Sequence, residues 1–416
     1  MRLAILHYSV PPVVGGVEAV IQAHTQLMLG VGWQVRLVAG VGEQEALPSG
    51  TEFIRIPEMD TLNPRVVEIG QQLEAGTVPE DFEALSTELE VMLEPVLEPH
   101  DSVIIHNIFT KHFNLPLTAA LVRLLDKGKI HHCIAWGHDF TWTSAHSRTK
   151  VHAGYPWDLL REYRKALTYV TISRHRQEEL AGLYQCPAER IHVVYDGVDP
   201  ADIYSLSDEG KALVERLDII GSDLVMLMPV RITQAKNIEF ALQVVASLKH
   251  SRVRPKLVVT GPPDPHDPAD TEYYRSLLDM RRTLQVDNEA RFVYGSGSNQ
   301  GQGYTIGLPI VRELFRVCDL LFMPSHREGF GMPILEAGMI GMPIFTAENP
   351  AANEIGQNDV TWFSPEDNAE KVAGMILEWV RSSPTQALRN RVRHNYSWQA
   401  IFQHHILPLL NGEEAA

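Results

Sequence analysis

Cysteine is scarce in this 416-residue chain: only Cys133, Cys186 and Cys318 occur, far apart and without CxxC spacing. That excludes a disulfide framework and a thiolate zinc site, and it fits a reducing compartment. Long hydrophobic runs are lacking too. The opening MRLAILHYSVPP is too short for a signal-peptide apolar region with its cleavage site, and no later stretch reaches the ~20 apolar residues of a membrane span. The expectation is a cytoplasmic protein whose membrane contact, if any, is peripheral. Positive charge is in deficit, with 36 Lys and Arg against 52 Asp and Glu and a formal charge of -16. Such a surface repels a phosphate polymer, so general nucleic-acid binding is excluded.

The composition is otherwise that of a folded globular protein, 44% apolar and 21% charged, which excludes a disordered or fibrous chain. At 416 residues it exceeds the roughly 250–300 at which a single core stops growing, so two domains are expected. Short apolar or β-branched runs alternate with segments of helical period. The first series is LAILHY (3–8), QVRLVAG (34–40), SVIIHN (102–107), HCIAWGH (132–138), YVTIS (169–173) and IHVVYDG (191–197). After a polar stretch near 200–222 come LVMLMPV (224–230), KLVVTG (256–261), ARFVYG (290–295), DLLFMPS (319–325) and PIFTA (343–347).

That alternation predicts an α/β fold: βα units on parallel sheets, in two Rossmann-like halves that meet near residue 200 and share an architecture but no repeated sequence. Ligands of such sheets sit beyond the carboxyl ends of the strands, so the chemistry is expected on loops that follow strands, in a cleft between the halves. The last segment, NYSWQAIFQHHILPLL (395–410), has apolar residues at helical spacing. It either crosses back onto the first half or closes the second.

Charge is unevenly spread. Residues 41–101 hold 15 acidic and 2 basic side chains, including an expected acidic amphipathic helix around 81–97, whereas residues 131–176 hold 7 basic and 3 acidic ones with six histidines. Ordinary solvated faces account for both; attraction of an anionic acceptor to the basic stretch is the sharper reading.

The strongest chemical pattern is HREGFGMPILEAGMIGMP (326–343). Glu328, Gly329, Phe330 and Gly331 follow a strand and open a helix containing Glu336. Glycine next to a helix N-terminus lets bare backbone amides approach an anion, and a diphosphate suits that place. Glu328 and Glu336, with seven residues between them, can reach different parts of one ligand and accept hydrogen bonds from sugar hydroxyls. The bland alternative is a tight turn with Glu336 complementing the helix dipole.

Arg231 and Lys236, five positions apart in PVRITQAKN after another strand, could hold phosphates and stabilise charge that grows on them. In VPPVVGGVEAV (10–20), Gly15 and Gly16 separate the first strand from a helix, again an amide approach to an anion or acceptor. The segment is not GxGxxG, and no acidic ribose ligand ends the second strand, which disfavours a dinucleotide-dependent dehydrogenase. His138 in AWGHDF lies just past a strand, with Asp139 a weaker candidate beside it. DPHDPAD (264–270) reads as a turn rather than a metal site, Met323, Met332, Met339 and Met342 as fillers of core gaps, and GSGSNQGQGYTIG (295–307) as a lid or a linker.

Taken together these residues resemble the retaining, two-domain sugar-nucleotide glycosyltransferases of the GT-B fold, glycosyltransferase family 4 (glycosyl transferases group 1). The resemblance spans nearly the whole chain: GGVE after the first strand, the VVYDGVD turn (193–199), Arg231 with Lys236, the Glu328 to Glu336 segment and a terminal helix with Trp398, in that order. The family more usually has Asn where Asp196 stands. The resemblance implies an acceptor-side domain over 1–200, a donor-side domain over 201–390 and a C-terminal helix, 391–416, returning to the first. It implies that Arg231 and Lys236 hold the donor diphosphate and Glu336 the ribose. Glu328 and the backbone at Phe330, Gly331 and Met332 would face the transferred sugar and phosphates, His138 would lie near the sugar, and Gly15 and Gly16 would border the phosphate and acceptor space.

The implied activity is transfer of a hexose, with retention, from a UDP-, GDP- or ADP-sugar to a hydroxyl of a small acceptor, anionic or neutral, or of a glycan. No metal and no other cofactor is implied. A sugar-nucleotide epimerase or hydrolase, or a noncatalytic nucleotide-sugar binding protein, are the alternatives on the same donor pocket.

Overall fold

The computed structural model describes residues 1–264, 268–297 and 303–412. His266 of the DPHDPAD turn and residues 298–302 of the expected lid or linker lie outside them. The chain forms two compact units: Met1–Val198 together with the segment from Trp398 onward, and Asp199–Ser397.

The first unit carries seven parallel strands: β1 (Arg2–Leu6), β2 (Gln34–Ala39), β3 (Glu52–Arg55), β4 (Ser102–His106), β5 (Cys133–Gly137), β6 (Leu167–Thr171) and β7 (Ile191–Val193). Their order is β3-β2-β1-β4-β5-β6-β7. Ile5 of β1 is flanked by Leu37 of β2 and Ile104 of β4. Every residue of β4 and β5 is buried, because helices cover both faces. That is why these strands read as continuous apolar runs rather than as alternating ones. Ala4 and Leu6 face one layer of core, Leu3 and Ile5 the other.

The second unit carries six: β8 (Leu224–Met228), β9 (Pro255–Val259), β10 (Ala290–Phe292), β11 (Leu320–Met323), β12 (Ile344–Ala347) and β13 (Thr361–Phe363), all parallel in the order β10-β9-β8-β11-β12-β13. Met226 and Met228 pack to one side of this sheet, Val225 and Leu227 to the other. Two strands, β3 and β13, have no counterpart among the expected runs. Both are edge strands, and neither Glu52-Phe-Ile-Arg55 nor Thr361-Trp-Phe363 is fully buried, so neither carries the apolar excess of a central strand.

The helix Asp81–Leu97 buries Phe82, Leu85, Leu89 and Leu93 while its acidic face pairs with cations from neighbouring elements. Arg65 holds Asp81 and Glu88, Arg123 holds Glu83, Lys127 holds Glu90, and Lys129 holds Glu94 and Glu98. Each fully buried apolar side chain contributes about 1.5–3 kcal/mol and each exposed ion pair well under 1, so the apolar stripe, not the charge, holds this helix.

The terminal segment packs on the first unit. Ile401, Phe402, Ile406, Leu409 and Leu410 join the core layer that contains Leu3, Ile5 and Met28. Gly197, in the boundary turn, has to be glycine because a Cβ there would lie 2.8 Å from the Trp398 ring. Burial raises the neighbouring Asp196 carboxyl to about 6. Of the four methionines expected in core gaps, Met323 and Met342 are buried, but Met332 and Met339 are exposed, because they lie on the outward face of the short helix Met332–Met339.

The second unit contains a sealed charge cluster. Asp319, just before β11, accepts from the backbone N–H of Val225 and pairs with Arg393 at 2.8 Å and Arg389 at 3.2 Å. Its side chain is 0% and that of Arg393 2% exposed. Replacing Arg393 by Met strands a buried carboxylate, so a loss of roughly 3–5 kcal/mol in urea unfolding is expected; a loss below about 1 kcal/mol would show that Arg389 alone suffices.

Candidate functional site

In both sheets the winding reverses once. From β1 the chain runs outward to β2 and β3 on one side and β4 to β7 on the other; from β8 it runs to β9 and β10 on one side and β11 to β13 on the other. The loops leaving the two strands at a reversal diverge and leave a crevice at their carboxyl ends. Arg231 and Lys236 follow β8, and Glu328, Phe330, Gly331 and Met332 follow β11. The strongest patterns of the sequence therefore fall on the two loops of one crevice.

Backbone bonds stitch these loops into place. The Ile232 N–H donates to the carbonyl of Pro262, tying the β8 loop to the β9 loop at 3.0 Å, and the His326 N–H donates to Ala235, tying it to the β11 loop, also at 3.0 Å. Lys236 Nζ consequently meets Glu328 Oε2 at 2.8 Å, with side chains only 20% and 6% exposed. The other oxygen, Glu328 Oε1, is sealed from solvent and has no hydrogen-bond partner among the described residues. A buried carboxylate with one unused acceptor beside an ammonium with donors to spare suits a ligand that offers both hydroxyls and anionic oxygens.

Gly331 caps the helix Met332–Met339 with φ 96°, a conformation side chains rarely adopt, so glycine is needed there. No side chain caps this helix, nor the helix Ile238–His250 that starts after Lys236. Several helices elsewhere carry Asn or Ser caps, as at Asn63, Asn114, Ser173, Asn349 and Asn368, although those starting at Asp81 and Leu308 do not. Uncapped amides at the crevice remain available to an anion. Glu336 lies in the second turn of its helix, half-buried. Phe330 and Met332 are exposed. Arg231 is not paired with Lys236; its 61% exposed side chain bonds Asp264 at 3.0 Å, a residue that had been read only as part of a turn.

The first unit gathers a different set. The helix Gly16–Gly30 also lacks a side-chain cap. The Glu18 carboxylate folds back onto Gly15, leaving no room for a Cβ, while Gly16 stands open. His138 follows β5 and is buried. Its Nε2 lies 3.0 Å from Nδ1 of His106, the last residue of β4, and its backbone N–H donates to Asn107 Oδ1 at 2.8 Å. His7, just past β1, contacts the carbonyl oxygen of His106 through Nδ1 at 3.1 Å and approaches Glu18 through Nε2 at 3.9 Å.

His24 packs on Trp136 and Trp398 with both ring nitrogens sealed. Burial drives His24 and His138 down to about 3 and pushes His7 and His106 below the ordinary histidine range, so all four are neutral at pH 7. Sequence reading singled out only His138. His7, Glu18, His106 and Asn107 escaped it, although LHY and IHN place three of them at the ends of expected strands. Asp139 is engaged with Arg176 at 2.9 Å. Other cations of the basic stretch are also paired, Lys150 with Glu74 and Arg161 with Asp158.

The fold and these loops define a protein of two Rossmann-like units, the second of which presents cations, uncapped amides and a buried carboxylate at its sheet's reversal point. Residues 211–396, most of that unit, match the family described as Glycosyl transferases group 1. The mannosylglucosylglycerate synthase of Petrotoga mobilis is 25% identical over 60% of this chain and 60% of its own length. The D-inositol 3-phosphate glycosyltransferase of Stackebrandtia nassauensis is 29% identical over 43% of this chain and 38% of its own. The chain thus matches less than two thirds of either relative. A solved glycosyltransferase from Rickettsia africae matches 99% of this chain and 98% of its own at 15% identity, with a TM-score of 0.37. No helix among the described residues is long and apolar enough to cross a membrane.

Neutral His24 and His138 impose a pH dependence. Above the unfolded value near 6.5 they cost nothing; between about 6.5 and 3 the unfolded chain binds protons that the folded chain refuses. Stability is therefore expected to fall by about 1.4 kcal/mol per pH unit for each such histidine as pH drops through that window. Urea unfolding at pH 7, 6 and 5 measures this slope, and His24→Leu should make it shallower. A slope that the substitution leaves unchanged would remove His24 from the account.

Proposed function

We propose that this chain is a retaining glycosyltransferase of the GT-B class, family 4, that moves a hexose from a nucleoside diphosphate sugar to a hydroxyl of a small anionic acceptor. The observation that carries this reading is the Lys236–Glu328 pair at the reversal point of the second sheet, between two helices without side-chain caps. Cations and free amides suit a diphosphate; a sealed carboxylate oxygen suits a sugar hydroxyl. The match of residues 211–396 to the group 1 family supports the same assignment. The anionic acceptor is supported by relatives whose names carry glycerate and inositol 3-phosphate.

In this reading the second unit takes the donor and the first the acceptor. Lys236, Arg231 and the amides at Gly331 and Met332 bind the diphosphate, Glu336 the ribose, and Glu328 the sugar, with His138 beside it. The bond from the anomeric carbon to the phosphate oxygen breaks while the acceptor oxygen bonds to that carbon on the same face. The acceptor proton passes to the departing phosphate, so nucleoside diphosphate and glycoside are the only products. Preorganised cations and amides stabilise the charge the leaving group takes up, without the reorganisation that water would require. The reading calls on no metal ion.

UDP-, GDP- and ADP-sugars tested for transfer to phosphorylated and carboxylated hydroxy compounds should reveal one productive pair. Arg231→Ala should then lower turnover about 100-fold, as for loss of one oxyanion donor, while changing stability by less than about 0.5 kcal/mol because the side chain is largely exposed. Near-normal turnover in that variant removes Arg231 from the mechanism, and absence of transfer across the whole panel refutes the assignment.

A further inference from the structure

The carboxyl ends of β1, β4 and β5, neighbours in the first sheet, place His7, His106 and His138 in one row. The protons of that row follow from its partners. A carbonyl oxygen only accepts, so His7 carries its proton on Nδ1, bonded to the His106 carbonyl. Between His106 Nδ1 and His138 Nε2, 3.0 Å apart, there is one proton, and two arrangements are open to two neutral rings. If His138 donated from Nε2, neutral His106 would have to carry its own proton on Nε2, an atom sealed from solvent and without an acceptor. If His106 donates from Nδ1, its sealed Nε2 is a bare lone pair instead. An orphaned N–H is the rarer defect in folded proteins, and the second arrangement avoids it.

We propose that His106 is a positioning residue that sets the tautomer of His138. His106 Nδ1–H donates to His138 Nε2, so that His138 offers an Nδ1–H donor, not an acceptor, to an oxygen of the sugar diphosphate. The next residue completes the mount. Asn107, at φ 62°, accepts the His138 backbone N–H through its side-chain oxygen at 2.8 Å, so consecutive residues at the end of β4 hold the ring and the main chain of His138. His138 Nδ1 is not among the sealed, unpartnered atoms and has no hydrogen-bond partner among the described residues. The donor is therefore unspent. The identity of the ligand rests on the functional reading above; the tautomer does not.

Long-range ¹H–¹⁵N correlation of the imidazoles in the intact protein tests the assignment directly, with the His138 resonances identified by their loss in His138→Gln. The expected wild-type spectrum shows His138 protonated at Nδ1 and bare at Nε2. His106→Asn, whose amide nitrogen can take the place of Nδ1, should preserve that pattern and keep turnover within a few-fold. His106→Asp puts only an acceptor in the place of that donor. It should move the His138 proton to Nε2 and lower kcat on the order of tenfold, with little change in the KM for the sugar nucleotide.

A wild-type His138 protonated at Nε2 overturns the proposal even if no variant folds, and so does a His138 Nε2 that stays bare in His106→Asp. The expected spectra without sugar transfer from any donor would uphold the tautomer assignment and sink the glycosyltransferase reading instead.

Discussion

Lys236 and Glu328 meet because each sits on the first loop beyond one of two neighbouring strands at which the winding of a parallel sheet turns around. In a parallel sheet, consecutive crossovers on one side of such a point pack side by side. At β8 and β11 they part, and the chain leaves a crevice that backbone amides and side chains line but do not close. The arrangement holds as long as both loops are fixed, and their bonds to each other and to the loop after β9 fix them. A carboxylate that is 6% exposed would pay several kcal/mol of desolvation alone; the ammonium at 2.8 Å offsets that penalty and leaves an oxygen unused.

The two units handle polar groups at their strand ends in opposite ways. The second keeps charge there, as ion pairs and uncapped helix amides. The first holds a row of histidines that burial keeps neutral, linked through one ring-to-ring bond and one carbonyl. A charged row would repel itself at these separations and in this desolvated place, whereas neutral rings can pass hydrogen-bond direction from one strand end to the next at no Coulombic cost.

Most of the chain's charge serves neither purpose. Within the acidic stretch, six carboxylates between residues 81 and 98 are paired with four cations from neighbouring elements, and several cations of the basic stretch are likewise paired. Charge imbalance counted along a chain says little about the field at a site, because pairing in space cancels what the sequence lists separately.

Central strands such as Ser102–His106 and Leu224–Met228 were legible in the amino-acid order because burial on both faces demands an unbroken apolar run, and a glycine before a short helix was legible because few other residues tolerate φ 96°. The edge strands Glu52–Arg55 and Thr361–Phe363 were not, since half-covered strands need no such run. Nor were the pairing of Arg231 with Asp264, the exposure of Met332 and Met339, or the partnership of His106 with His138. Local order along the chain determined which segments become strands and where anion-binding loops begin, because those depend on neighbours within a few residues. Which side chains face one another across 32 or 92 positions was decided only when parallel strands came into register, since that register rests on the packing of the whole sheet.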